Sequence, residues 1–260
     1  MIRKILCVFL LNYVLGSAAL FAEMPDLEEG FMERADEYDS GVKIRIVETV
    51  KLPAGYHEGI FMKDGRMLVN NGEGGMTWIV DTGTGDVTGE ITPVATFTEG
   101  MTIDKNGRYW VTDWDTKKLY RVHLDDHRMV PELEVSLAPA HPTGVIWNGN
   151  MLYVLTWTRG IGTDYHLLEI DLDGRIHKKI KVRRIHEPSQ LAWDGDFLWV
   201  SSWYSQRIYR IDIEKMGVTG HIKSPVDDTT GILWDNGYLW VTGTKSDLYK
   251  VELIPGIKDK

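Results

Sequence analysis

The sequence predicts an all-β fold: a five-bladed β-propeller of four-stranded antiparallel blades, its ring closed by an N-terminal strand pairing with the last blade. Three observations carry this reading. A unit of apolar strand, Asx-Gly turn, Trp-rich strand and aromatic-basic strand recurs five times, with starts at Glu58, Glu99, Thr143, Ser189 and Thr230. Those starts lie 41, 44, 46 and 41 residues apart, and a period in the forties with several short strands per unit marks a propeller blade. The last unit stops after its third strand, while Val42–Val50 (VKIRIVETV) precedes the first unit and belongs to none. Pairing the two removes a free sheet edge.

In chain order, Arg3 and Lys4 precede an apolar run from Ile5 to Leu15 and then small residues. That is the layout of a secretory signal peptide, assigned to residues 1–22. The run is short for a spanning helix, so a secreted or periplasmic protein with no membrane attachment after cleavage is expected. Residues 23–40 read as an acidic linker or short surface helix, with eight carboxylates and one arginine between 23 and 39. The propeller is assigned to residues 41–255 and a C-terminal tail to 256–260. In each unit the first strand turns through Asp64-Gly65, Asn106-Gly107, Asn148-Gly149, Asp194-Gly195 or Asn236-Gly237, pairs that tolerate positive φ in hairpins. Second strands follow at Tyr109–Thr112, Leu152–Leu155, Leu198–Ser201 and Leu239–Thr242. Third strands are Leu119–Val122, Leu167–Ile170, Ile208–Ile211 and Leu248–Val251. Weaker outer strands fall at Val87–Ile91, Glu132–Leu137, Ile176–Val182 and Val218–Ile222.

Composition narrows the function classes. At 43% hydrophobic and 26% charged over 260 residues, the chain has ample material for a core. Cys7, inside the apolar run, is the only cysteine, which excludes a disulfide, a thiolate zinc site and a cysteine nucleophile from the mature protein. The net charge is −9 and no basic stretch tracks a phosphate backbone, so no nucleic-acid partner is expected. Gly83–Gly89 (GTGDVTG) opens no helix and reads as a hairpin rather than a dinucleotide loop. No Gly-x-Ser-x-Gly occurs, which argues against an α/β-hydrolase nucleophile.

Antiparallel pairing places the start of each first strand and the end of each second strand at one end of the ring. Glu58, Glu99, Thr143, Ser189 and Thr230 are therefore expected around one mouth of the central channel, walled by loops beginning near Asn70, Trp114, Trp157, Trp203 and Thr244. Trp114, Trp157 and Trp203 occupy equivalent positions, each four residues past the aromatic of its strand, and form a half-cage suited to an apolar, aromatic or cationic group. The other tryptophans of the repeats, such as Trp110, Trp199 and Trp240, read as packing between blades. Two carboxylates on neighbouring blades, Glu58 and Glu99, can divide into acid and base when their environments differ; each can also cap its loop. His57, His141 and His186 fall within three residues of their anchors, but no spacing matches a metal motif, so neither metal nor other cofactor is expected.

Several segments resemble the glutamine cyclotransferase family of plant and bacterial type. Phe97-Thr98-Glu99-Gly100-Met101-Thr102 is similar to that family's Phe-Gly-Glu-Gly-Leu-Thr segment; Leu155-Thr156-Trp157 and Ser202-Trp203 are similar to its channel tryptophans; Gly231-Ile232, Val241-Thr242-Gly243 and Leu248-Tyr249 follow its final blade. The resemblance implies a secreted five-bladed propeller that turns N-terminal glutamine into pyroglutamate with release of ammonia. It implies Glu58 and Glu99 as catalytic carboxylates. Trp114, Trp157, Trp203, Asn70, Thr143, Ser189, Gln190 and Lys245 would contact a small molecule or peptide N-terminus at the channel mouth. The sequence departs from the family at three places: Val69 stands where a glutamate follows blade one's second strand, Ser189-Gln190 replaces an Asn-Glu pair, and Thr244, with Lys245 next to it, replaces a lysine. The alternative is a non-catalytic periplasmic propeller that binds a ligand or peptide. The Glu-Gly openings also resemble metal-dependent lactonases, but Thr143 and Ser189 stand where those enzymes need Asn and Asp.

Overall fold

The computed structural model describes residues 27–31, 42–72, 75–160, 162–183, 185–215 and 217–255. Two strands precede the repeats, β1 (Leu27–Phe31) and β2 (Val42–Val50). Blade one is β3 (His57–Lys63), β4 (Arg66–Asn71), β5 (Met76–Asp81) and β6 (Val87–Ile91). Blade two is β7 (Thr98–Ile103), β8 (Tyr109–Asp113), β9 (Lys118–Asp125) and β10 (Arg128–Ser136). Blade three is β11 (His141–Trp147), β12 (Leu152–Arg159), β13 (Thr163–Ile170) and β14 (Ile176–Val182). Blade four is β15 (Pro188–Trp193), β16 (Leu198–Ser202), β17 (Arg207–Asp212) and β18 (Gly217–Lys223). Blade five is β19 (Thr229–Asp235), β20 (Tyr238–Gly243) and β21 (Leu248–Pro255), and its fourth strand is β2.

The ring closes as the sequence predicts. β2 runs antiparallel to β21 from Val42 opposite Pro255 to Val50 opposite Leu248. Blade three takes one strand more: β1, inside the acidic stretch, lies parallel along β14, with Leu27 opposite Ile180 and Phe31 opposite Val182. The expected signal peptide and the C-terminal tail lie outside the described residues.

Two of the five Asx-Gly hairpins turn on paired positive dihedrals, at Asp64 and Gly65 (φ 50° and 76°) and at Asn236 and Gly237 (φ 48° and 83°), the conformation that favours Asx-Gly. Elsewhere an Asx side chain holds the turn. Asp194 accepts from the N–H groups of Asp196 and Phe197, and its other oxygen takes the indole N–H of Trp199 at 2.7 Å. Asp104 repeats the device, accepting from the N–H groups of Asn106 and Arg108 and from the Trp110 indole at 2.8 Å. One carboxylate thus fixes a turn and orients the large side chain of the next strand. Truncating a fully buried ring such as Trp110 would cost about 3–5 kcal/mol.

Apolar residues gather into five cores, each spanning two adjacent blades, so each blade is buried on both faces. Trp110, Trp199 and Trp240 are buried in them, and Trp147, Trp193 and Trp234 pack against their edges. Close to the axis the innermost strands approach too closely for side chains. A Cβ on Gly100 would lie 2.7 Å from the Val145 nitrogen, and one on Gly231 would lie 2.7 Å from the Glu58 carbonyl oxygen. The glycine after each anchor is what lets the ring be this narrow. Blade four alone has Gln190 at that position.

Candidate active site

Glu58, Glu99, Thr143, Ser189 and Thr230 open the five inner strands, and all line one cavity of about 310 Å³ at the channel mouth. Trp114, Trp157 and Trp203 form part of its wall. The registers explain why these three are equivalent. Thr98 opposes Asp113, Pro142 opposes Thr156 and Pro188 opposes Ser202, so each tryptophan is the next residue on its strand, directed at the mouth. Gly72 and Thr244 hold the same place in blades one and five, and at Gly72 the ring of Phe97 takes the space a side chain would fill.

The three rings differ in their surroundings. The Trp157 indole N–H donates to the Pro188 carbonyl at 2.7 Å, and its ring is buried. Trp114 meets Trp157 edge-on at 5.5 Å between centroids and is covered on another side by His141, 4.4 Å away. Trp203 is 39% exposed and free to lie against a ligand.

Sequence reasoning missed four further lining residues: Tyr56, Phe97, Asp115 and Arg159. Tyr56 and Phe97 lie two residues before the Glu58 and Glu99 anchors, and their rings meet edge-on at 6.1 Å. Strand periodicity was the available signal, because a residue two positions back shares the anchor's face. Asn71 and Asp113 accept from the N–H groups of Tyr56 and Phe97, at 3.0 and 2.6 Å, and so fix both approach segments. Arg159, two residues beyond Trp157, holds its guanidinium 4.9 Å from the Trp114 ring centre.

Three expected substrate contacts lie elsewhere. Asn70 is buried in the seam between blades one and two, where its amide donates to the Glu99 carbonyl at 3.1 Å and its oxygen accepts from Thr77 at 2.8 Å. It serves there as Thr112 does one blade on, whose hydroxyl donates to the Thr143 carbonyl. Gln190 is buried without lining the cavity; following Ser189, it has the opposite strand parity. Lys245 is exposed in the turn after β20 and does not line the cavity either.

The chemistry concentrates in Glu58 and Glu99, both buried and hydrogen-bonded to each other through their carboxyls. Burial, which disfavours the charged form, is the main cause that raises both. Glu58 is held well above the usual carboxylate range, helped by the neighbouring charges of Glu99 and Asp228. Glu99 rises to about 8, with Asp113 and Asp115 adding to the effect of burial while the bond from Glu58 works against it. Both shifts favour the protonated forms, and the two carboxyls are coupled through their contact. Two carboxyls so coupled titrate as a unit, and once the pair has released one proton it presents an acid and a base side by side.

Thr143 adds a polar contact. Its hydroxyl oxygen is buried at the cavity and has no hydrogen-bond partner among the described residues. The histidines near the anchors are otherwise engaged: His57 lies within hydrogen-bond distance of the Ser246 and Pro53 carbonyls, His141 bonds the Trp114 carbonyl, and His186 packs on Tyr204. No group of three or more His, Cys, Asp or Glu side chains among the described residues is arranged to hold a metal ion.

No family model and no curated protein sequence matches the chain. Among solved structures, it is similar to glutaminyl cyclase from Myxococcus xanthus, with a TM-score of 0.67 at 15% identity over 82% of this chain and 97% of that one. A gluconolactonase from Xanthomonas campestris gives 0.54 at 15% identity, over 82% and 95% of the two chains. Virginiamycin B lyase from Staphylococcus aureus gives 0.52 at 14%, over 82% and 100%. At these identities the similarity establishes the propeller fold.

Proposed function

We propose that the protein is an exported glutaminyl-peptide cyclotransferase-like enzyme that closes N-terminal glutamine to pyroglutamate and releases ammonia. The observation that carries this reading is the buried, paired Glu58 and Glu99 carboxyls on the wall of a small aromatic cavity. The reaction needs one proton removed and one delivered. The pair acts once it has released one of its two protons: the substrate's amine attacks its own γ-carboxamide carbon and, as the new N–C bond forms, Glu99 accepts the amine proton. Glu58 donates its proton to the departing nitrogen, which leaves as ammonia. The pair again holds one proton, now on Glu99, and the shared hydrogen bond returns it. A well-placed acid and base of this kind contribute about 10²–10⁴-fold. Thr143 donates from its unpartnered hydroxyl to the carboxamide oxygen, and the tryptophan wall shields the amine from water.

Export rests on the apolar run at residues 5–15 and is tested by sequencing the N-terminus of protein recovered outside the cytoplasm. A second reading has its own observation. Val69, where the resembled family places a carboxylate, is fully buried in the core between blades one and five. A cavity that holds an amine without turning it over would look the same. Incubating the protein with a Gln-initiated peptide decides: ammonia release abolished by Glu99→Gln supports the enzyme, and peptide binding without ammonia supports the binding module.

A further inference from the structure

The cavity carries a positive charge that the cyclisation step does not use. Arg159 closes β12, lines the cavity and stacks over Trp114. Among the described residues no carboxylate or carbonyl accepts from its guanidinium, so its fork of donors faces solvent at the rim. Asp115, next to Trp114, also lines the cavity and accepts from Thr96 at 3.1 Å. An anionic group entering the cavity is therefore repelled at Asp115 and attracted at Arg159.

Two opposite charges thus face one small space: the Asp115 carboxylate, with the Glu58 and Glu99 carboxyls beside it on the wall, and the Arg159 guanidinium at the rim. We propose that this cavity selects compact substrates with an amine at one end and a carboxylate at the other, such as a glutaminyl dipeptide, and that Arg159 binds the carboxylate. The inference rests on the cyclotransferase reading and names its substrate class. Size agrees with it. A sphere of the cavity's volume is about 8 Å across, and an extended chain covers about 3.5 Å per residue, so about two residues fit. Stacking on Trp114 holds the guanidinium in place before the ligand arrives, which lowers the ordering cost of binding.

The test compares glutaminyl-glycine with its C-terminal amide, ligands of equal size that differ in one charge. Ammonia release gives kcat/KM, and quenching of tryptophan fluorescence gives Kd. The wild-type protein should favour the acid about tenfold, the range of a charge-assisted hydrogen bond at an exposed site. Arg159→Met, which keeps the stem on Trp114, should bring the ratio close to one, and Arg159→Lys should retain part of it. Equal use of acid and amide by the wild-type protein, or an undiminished preference in Arg159→Met, overturns the proposal. Preferential binding of the acid without ammonia release would remove the cyclisation step and leave the proposal standing. Ammonia release without discrimination would do the reverse.

Discussion

Replacing Glu99 by glutamine should separate stability from catalysis, because burial disfavours the charged form of this carboxyl. Burial pushes the Glu99 carboxyl from 4.5 to about 8. Between those values the unfolded chain releases this proton and the native state keeps it. The native state then binds more protons, so stability must fall as pH rises through the window. The contribution is intact below pH 4.5 and has gone by about pH 8. At 1.36 kcal/mol per pH unit the full loss is about 5 kcal/mol, and between pH 5 and 8 about 3 kcal/mol. Glutamine keeps the shape, cannot ionise and can donate to Glu58. Urea unfolding followed by tryptophan fluorescence should therefore give similar stabilities for the two proteins at pH 5. At pH 8 Glu99→Gln should be more stable by about 3 kcal/mol, a midpoint shift of about 1 M or more. Ammonia release should meanwhile fall about 10²–10⁴-fold. Parallel pH–stability curves for the two proteins, or a variant less stable at pH 8, would refute a buried, protonated Glu99 carboxyl.

Three further outcomes are expected. Trp203→Ala should lose less than about 1 kcal/mol of stability because its ring is already 39% exposed, yet weaken ligand quenching severalfold; Trp157→Ala, which empties a buried site and removes the bond to Pro188, should cost about 3–5 kcal/mol, both read by urea titration with parallel ligand binding. Gly100→Ala should destabilise by at least about 2 kcal/mol, since its new methyl would meet backbone at 2.7 and 2.9 Å; an unchanged thermal midpoint would contradict the narrow ring. Deleting residues 42–50 strips β21 of its neighbour and exposes the edge that β2 covers, so the shortened chain should form concentration-dependent oligomers in size-exclusion chromatography.

The fold was largely legible because a propeller repeats its physics. Each blade needs a hairpin turn, an apolar inner strand and a large ring between neighbours, so five weak local signals reinforce one another. Ring closure was equally readable, since a strand without a unit and a unit without a strand can satisfy each other. The parallel pairing of β1 was not, because an acidic pentapeptide has no alternation of its own and its partner lies far along the chain. At the site, position within a repeat located the anchors and the three tryptophans but could not assign parity. Asn70 lies two residues short of Gly72, its blade's mouth position, and is held in the seam by its bonds to Glu99 and Thr77. Gln190 follows its anchor and has the opposite parity. Lys245 follows the end of β20, where strand alternation no longer applies. Tyr56 and Phe97 precede their anchors and fall outside the segments that look alike between blades, although the same period-two rule places them in the wall.

The carboxyl pair shows how ring geometry sets chemistry. Glu58 and Glu99 are 41 residues apart and meet because inner strands of adjacent blades touch at the axis. That contact depends on Gly59, whose missing side chain leaves room for the Glu99 carbonyl and the Gly100 Cα. A side chain there would push the strands apart, and two carboxyls no longer within hydrogen-bond distance would each bind or release a proton alone. The same closeness seals the pair from water, which raises both carboxyls and favours their protonated forms. Blade four marks the limit of the arrangement: with Gln190 in place of the glycine and Ser189 as its anchor, it offers no carboxyl at the mouth. The proposed acid–base pair is therefore confined to the seam between blades one and two, opposite the side where Trp203 lies open.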